Sequence, residues 1–404
     1  MTRKHLSRLQ PTSRLCNSLL VAATTLALGA CSSGGDEDSG NALEDGTLAA
    51  FVATRASDFS SGRVDRLVVA GDSFVVDANY PATISDLRVG TIDGDLIEVA
   101  RFNTSTLARY TADDTSAPVW EFSVNSDETD ANPIDVIFDE AGFGYVTRYG
   151  TDELWVIDPS VAADAEADFL DTTFDLGAYD DDAPNMTDAV IVNDQLFVLM
   201  ERLANGFEPS QAGYVAVFDL MTGLEVDTGQ GEDGLFGIKL DTVNPTSLQY
   251  NEDSDLLFVV GRGNAFLNPD VPGDPYSGGL ESIDPVSFEN TLVVDDGTEE
   301  ENVGFFTDAL VVSANKAYLV TPTAFPNNTV LIANLGDGTV NPSPVAGLED
   351  QPVSMITQDA TGRIWVGIGG NEPGFFFLDP ETDELSAEMV RTDLVPIDLA
   401  FPSN

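Results

Sequence analysis

The stretch from Pro133 to Pro159, PIDVIFDEAGFGYVTRYGTDELWVIDP, constrains the fold of this chain more than any other feature. It holds three short runs (IDVIF, GYVTRYG, ELWVID) rich in β-branched and aromatic residues. Glu-Ala-Gly and Gly-Thr-Asp separate the runs, and an Asp-Pro turn closes the unit. Residues suited to a pleated, half-buried surface alternate with residues that reverse the chain, which predicts a tight antiparallel meander.

Degraded copies recur along most of the 404 residues. First runs begin at Asp86, Asp135, Asp188, Ser247, Asp308, Ser354 and Asp398. Six steps take Asp86 to Asp398, so (398 − 86)/6 gives a repeat of about 52 residues, near the roughly 40–50 of propeller repeats. A proline sits upstream of most of them: Pro81, Pro133, Pro184, Pro245, Pro352 and Pro396. Second runs read LIEVAR, GYVTR, LFVLMER, LLFVVGR, AYLVT and RIWVG. Third runs end in turn sequences such as VIDPS, VFDLMTG and FLDPETD, which suit a type I turn followed by a Gly, Asn or Asp bulge.

Each end of the chain leaves an orphan. Leu394 to Phe401 reads as a first strand with nothing after it, and Leu48 to Thr83 as second, third and fourth strands with nothing before them. Joined, they make one composite blade. The chain is then all-β, a seven-bladed β-propeller whose composite blade is closed by the C-terminal strand, an arrangement that removes exposed sheet edges. GYVTRYGTDELWVID is also similar to the YVTN-type propeller repeat of bacterial surface and periplasmic proteins, with Arg148 where that repeat has Asn. The resemblance implies a propeller and no particular activity.

The N-terminus reads as an export signal. Arg3, Lys4, Arg8 and Arg14 precede the short apolar run Leu19 to Leu28, too short to span a bilayer. The run leads into Leu28-Gly29-Ala30-Cys31, which resembles the bacterial lipobox. That resemblance implies removal of residues 1–30 and lipidation of Cys31, with two or more acyl chains for stable anchoring. Ser32 after the cysteine implies the outer membrane, by similarity to Gram-negative sorting signals. Ser32 to Thr47 is acidic and Gly/Ser-rich, a tether from the lipidated Cys31 to a propeller over residues 48–404.

Charge and side-chain inventory bound the function. Residues 1–31 hold four of the 17 basic and none of the 69 acidic residues, so the remainder carries 13 against 69, a net −56. Such a body repels nucleic acid and attracts cations. His5, Cys16 and Cys31 are the only histidine and cysteines. A mature chain starting at Cys31 therefore has no disulfide, no histidine metal ligand and no Ser–His–Asp or Cys–His nucleophile.

One pattern carries candidate chemistry. Arg55, Arg101, Arg148, Arg202 and Arg262 end five second runs, and Asp86, Asp135, Asp188, Asp308 and Asp398 begin first runs on the same propeller face. Two readings follow. Each Arg pairs with a neighbouring Asp and fixes the blade tops; or the arginines form a cationic rim that holds a carboxylate or sugar-acid ligand, with Arg262 most informative because Ser247 does not neutralise it. Loops Leu203–Gly213, Gly263–Gly279 and Pro322–Thr329 are long and carry Phe207, Phe266, Tyr276 and Phe325, which pack the loops down or meet a ligand. The clusters Asp180 to Asp182, Asn251 to Asp255 and Asp295 to Gly297 offer oxygen ligands for Ca²⁺ but lack the spacing of a calcium loop.

The expected function is that of a non-enzymatic binding or scaffold module at the cell envelope. It would be anchored to the outer membrane by its lipid and take a protein or an anionic small molecule or glycan. The alternative is a His-free envelope enzyme at the channel mouth: a metal-dependent lactonase, or a carboxylate-based glycan hydrolase or lyase.

Overall fold

The computed structural model describes residues 47–402 apart from 71–72, 79–80, 127–129, 181, 204–210, 265–275 and 299. The export segment, Cys31, the tether up to residue 46, Phe207, Phe266 and Asp181 lie outside the described residues.

Seven antiparallel sheets form the blades of a propeller, each with its strands in sequential order from the axis outward. Blade 1 is the composite one: Val395–Ala400 lies innermost, followed by Leu48–Arg55, Gly62–Ala70 and Ser73–Asp77. The closing register pairs Phe51 with Ala400, Val52 with Leu399, Ala53 with Asp398 and Arg55 with Val395. The two orphan ends of the sequence thus share one sheet.

The inner strands of blades 2 to 7 are Leu87–Ile92, Pro133–Phe138, Met186–Val192, Pro245–Asn251, Asp308–Ser313 and Val353–Gln358. The second strands are the apolar runs of the sequence, and they are apolar because both of their faces are buried. In Gln195–Met200 of blade 4, Leu196, Val198 and Met200 pack toward blade 3, while Phe197 and Leu199 pack toward blade 5. The same logic gives seven separate apolar clusters, one at each blade–blade joint. The joint between blades 7 and 1 is aromatic, with Trp365 tilted against Phe74 and edge-on to Phe375 and Phe377. At about 25 cal/mol per Å² of apolar surface, such joints are the main source of stability.

The turns after the third strands take the predicted form, with Gly223 and Asp383 at the bulge as expected but Phe288 where Gly, Asn or Asp was expected. Gly223, Phe288 and Asp383 adopt positive φ, each donating its N–H to the aspartate carbonyl four residues earlier. Two features differ from the sequence reading. Pro322–Thr329 is not a loop: Lys316–Ala324 and Asn327–Asn334 continue as a long hairpin whose tip carries Phe325, 90% exposed. In blade 4 the outer edge is divided between Leu224–Glu225 and Ile238–Lys239, both paired with Tyr214–Asp219.

Candidate functional site at the axial channel

The inner strands face the axis, and their strand register decides which side chains meet there. Opposite equivalent points of the second strands stand Asp398, Arg88, Asp135, Asp188, Ser247, Asp308 and Met355, one from each blade in order. All seven line an axial cavity of about 450 Å³. Arg262 lines it too, with the hydroxyl-bearing side chains of Thr187, Thr246 and Thr307.

Asp86 is not in this ring. Arg88 takes the place expected for it, and the pairing at the start of its strand also differs from that of most blades. In blades 1, 3, 4, 5 and 7 the pairing skips one residue at the start of the inner strand, whereas Leu87–Ile92 pairs with Asp95–Ala100 without a break. Met355, rather than Ser354, likewise occupies the ring position of blade 7.

Each ring carboxylate is held differently, and its acidity follows. Asp188 accepts N–H bonds from Ala189 (2.8 Å) and, across the blade joint, from Leu248 (2.7 Å). Asp398 accepts from Val89 of blade 2 (3.0 Å) and faces Arg88 Nη1 at 3.6 Å. Asp308 accepts from Ala309 (2.9 Å) and feels Arg262 and Arg88. Asp135 accepts only from its neighbour Val136 (2.7 Å), and its second oxygen makes no hydrogen bond with the described residues. Burial raises all four, because an ionised carboxylate loses hydration among the inner strands. Asp135 reaches about 7, with Asp188 and Asp398 adding repulsion, while Asp188, with its two N–H bonds, and Asp308, near Arg262 and Arg88, reach about 6. Asp398 also rises, and Arg88 is held charged by Asp398.

The five arginines found in the sequence do separate things. Arg101 makes an ion pair with Asp86 at 2.8 Å and donates to Pro133 O of blade 3 at 3.2 Å. Arg148 is fully buried; it donates to Val124 O (2.9 Å), Glu153 O (3.1 Å) and Ser126 Oγ, and lies 4.2 Å from the Trp155 ring centre. Arg202 repeats this pattern one blade on, donating to Tyr179 O (2.8 Å) and Ala212 O (3.1 Å) over Tyr214. Both side chains capture the carbonyl of an incoming connection and stack on a third-strand aromatic, so they fasten blade to blade. Arg55 stacks over Phe59. Of the five, Arg262 lines the cavity, near Asp308 and Glu201.

Glu201 had no signal in the repeats. It is buried, accepts a hydrogen bond from Tyr149 Oη at 2.8 Å, and burial lifts it to about 7. Arg88 had no clear signal either: Pro-x precedes the ring residues Asp135, Ser247 and Asp398, but it also precedes Ser354, which is not at the ring position, and Asp188 and Asp308 lack it. Among the described residues no three His, Cys, Asp or Glu side chains converge as a metal cage requires.

Fold and channel together define a seven-bladed β-propeller with a charged axial cavity. The sequence matches no protein-family model and no curated protein. Solved structures match the fold. A structural-genomics protein from Lactobacillus plantarum superposes with a TM-score of 0.59 at 15% identity, over 88% of this chain and 99% of that one. The Dos1 propeller gives 0.52 at 10% identity, over 87% and 86% of the two chains. The dihydro-heme d1 dehydrogenase NirN, in complex with DHE, gives 0.51 at 11% identity, over 88% and 76%. At such identities the likeness is one of architecture.

Proposed function

We propose that this chain is a lipoprotein of the bacterial cell envelope, with YVTN-type repeats, that acts as a binding module through its axial channel. Anchoring through Cys31 is supported by the basic, apolar and lipobox-like segments in sequence, and an outer-membrane location by Ser32. The observation that carries the binding reading is the cavity of about 450 Å³ walled by four carboxylates and two guanidinium groups. Propellers hold their inner strands rigidly, and concave sites with convergent polar groups on a rigid scaffold are where ligands bind.

A second reading, a carboxylate-based hydrolase or lyase, draws on one observation: Asp135 and Glu201 both titrate near 7, where general acids and bases work best. Two experiments test the proposal. Cys31→Ser should abolish acyl labelling and release the protein from membranes; a labelled or membrane-bound variant would remove the anchor. A thermal-shift screen of cationic, anionic and glycan ligands should find stabilisation that Ser247→Trp, which fills the channel, abolishes. Stabilisation that survives the tryptophan would place binding elsewhere.

A further inference from the structure

Resting on the channel-binding reading, we infer that the ring takes an organic cation bearing N–H donors, an alkylammonium or guanidinium group.

Four carboxylates (Asp135, Asp188, Asp308, Asp398) face two cavity guanidinium groups (Arg88, Arg262), an excess of two negative charges. The ring already holds one cation of this kind, since Arg88 lies against Asp398 at 3.6 Å with 45% of its side chain exposed. The ring carboxylates have accepting capacity left over. Asp135 keeps an oxygen without a hydrogen bond, as does Asp308. An ammonium is a donor-only group with three N–H bonds, and a guanidinium has five. Ionised carboxylate oxygens only accept, so a carboxylate ligand would meet repulsion wherever it met an ammonium's best partners.

Geometry favours an organic cation over a metal ion. Ca²⁺ gathers six to eight oxygens at about 2.3–2.6 Å, yet no three carboxylates among the described residues converge that way. The ring acidic groups are spread one per blade around an open volume. Charge-assisted N–H···O bonds of about 2.7–2.9 Å, made from a group several atoms across, bridge such a spread.

The inference predicts an acid-labile site. Asp135 faces Asp188 of blade 4, Asp398 of blade 1 and Arg88 of blade 2. Asp308 faces Arg262 and Arg88. Protonation of the ring removes the attraction.

Titration calorimetry on the full chain in low salt tests this with three probes: 1,4-diaminobutane, the tripeptide Gly-Lys-Gly with blocked ends, and glucuronate. At about pH 8 an amine should bind saturably, and Asp135→Asn should weaken it about tenfold or more, as loss of one desolvated charge pair predicts. Wild-type binding should fall by a similar factor at about pH 5. Asp135→Asn removes a buried charge and should melt no lower than wild type, so its lost binding is not unfolding. Diaminobutane alone binding identifies a free amine; the peptide binding as well identifies a lysine-bearing partner; both support the inference. Amine binding indifferent to Asp135→Asn overturns it. Glucuronate binding that Arg262→Ala abolishes, with both amines silent, keeps the channel as a site but overturns the cation. Silence of all three probes overturns both the inference and a small-ligand channel.

Discussion

Asp135 gives the channel a measurable thermodynamic signature. Its carboxyl titrates at about 7 in the folded chain, against an ordinary aspartate value of 3.8. Because the folded value is raised, the ionised form is disfavoured by folding. The cost is absent below about pH 4, grows between about 4 and 7, and is full above 7. At roughly 1.36 kcal/mol per pH unit the whole interval corresponds to ~4 kcal/mol. Residual hydration at the cavity edge and charge shared with Asp188 reduce what one substitution recovers, to ~2–3 kcal/mol.

Asp135→Asn is the perturbation, since the amide oxygen still accepts the Val136 N–H bond of 2.7 Å. Urea unfolding of wild type and variant at about pH 4.5, 6 and 8 is the assay, with the difference at each pH isolating this residue. The variant should exceed wild type by less than ~1 kcal/mol at about pH 4.5 and by ~2–3 kcal/mol at pH 8. Equal stabilities at pH 8, or a variant that is weaker there, would refute the account of a strained ionised carboxylate at the axis. Because Asp188 and Asp308 also titrate high, wild type itself should lose stability as pH rises from 5 to 8.

Two further predictions concern the frame. Arg148→Met removes the side-chain donor to Val124 O and one of two donors to Glu153 O, which keeps Thr151 Oγ1, at about 1–3 kcal/mol for the buried polar group left unpaired. It should lower the urea midpoint while leaving channel binding unchanged; altered binding would place Arg148 in the site. Deleting residues 395–404 strips the inner strand from blade 1 and leaves Leu48–Arg55 as a bare edge. That loss should remove most of a net stability of about 5–15 kcal/mol, seen as protease sensitivity and self-association. A monomeric, protease-resistant truncation would show that closure is dispensable.

The fold was legible because each blade repeats one physical problem. Second strands packed on both faces read as apolar runs, and the unpaired runs at Leu48 and Leu394 have no partner except each other. The site was legible in part. The aspartates were visible as a column, but the column was aligned on residue type, and Asp86 matched by type while missing by register. Only strand pairing distinguishes Asp86 from Arg88. Arg148 and Arg202 look identical to Arg262 in sequence because all three end a second strand. What separates them is an aromatic on the third strand, Trp155 or Tyr214, that draws the guanidinium away from the axis.

Register also explains why one ring carboxylate is strained and its neighbours less so. The backbone N–H that follows each ring position is a donor contested between two blades. Where the position holds an acid, that acid claims the donor itself, as at Val136, Ala189 and Ala309. Where it holds Arg88 or Ser247, the donor is free for the carboxylate of the preceding blade, and Asp398 takes Val89 N–H while Asp188 takes Leu248 N–H. Asp135 is followed by Asp188, so the Ala189 N–H is already claimed and Asp135 keeps a single bond. Arg88 and Ser247, two of the three ring positions without an acid, thus leave a backbone donor to the carboxylate of the preceding blade. Asp308 also keeps a single bond but has Arg262 and Arg88 near it, whereas Asp135 takes the repulsion of Asp188 and Asp398, and a cationic ligand has most to offer there.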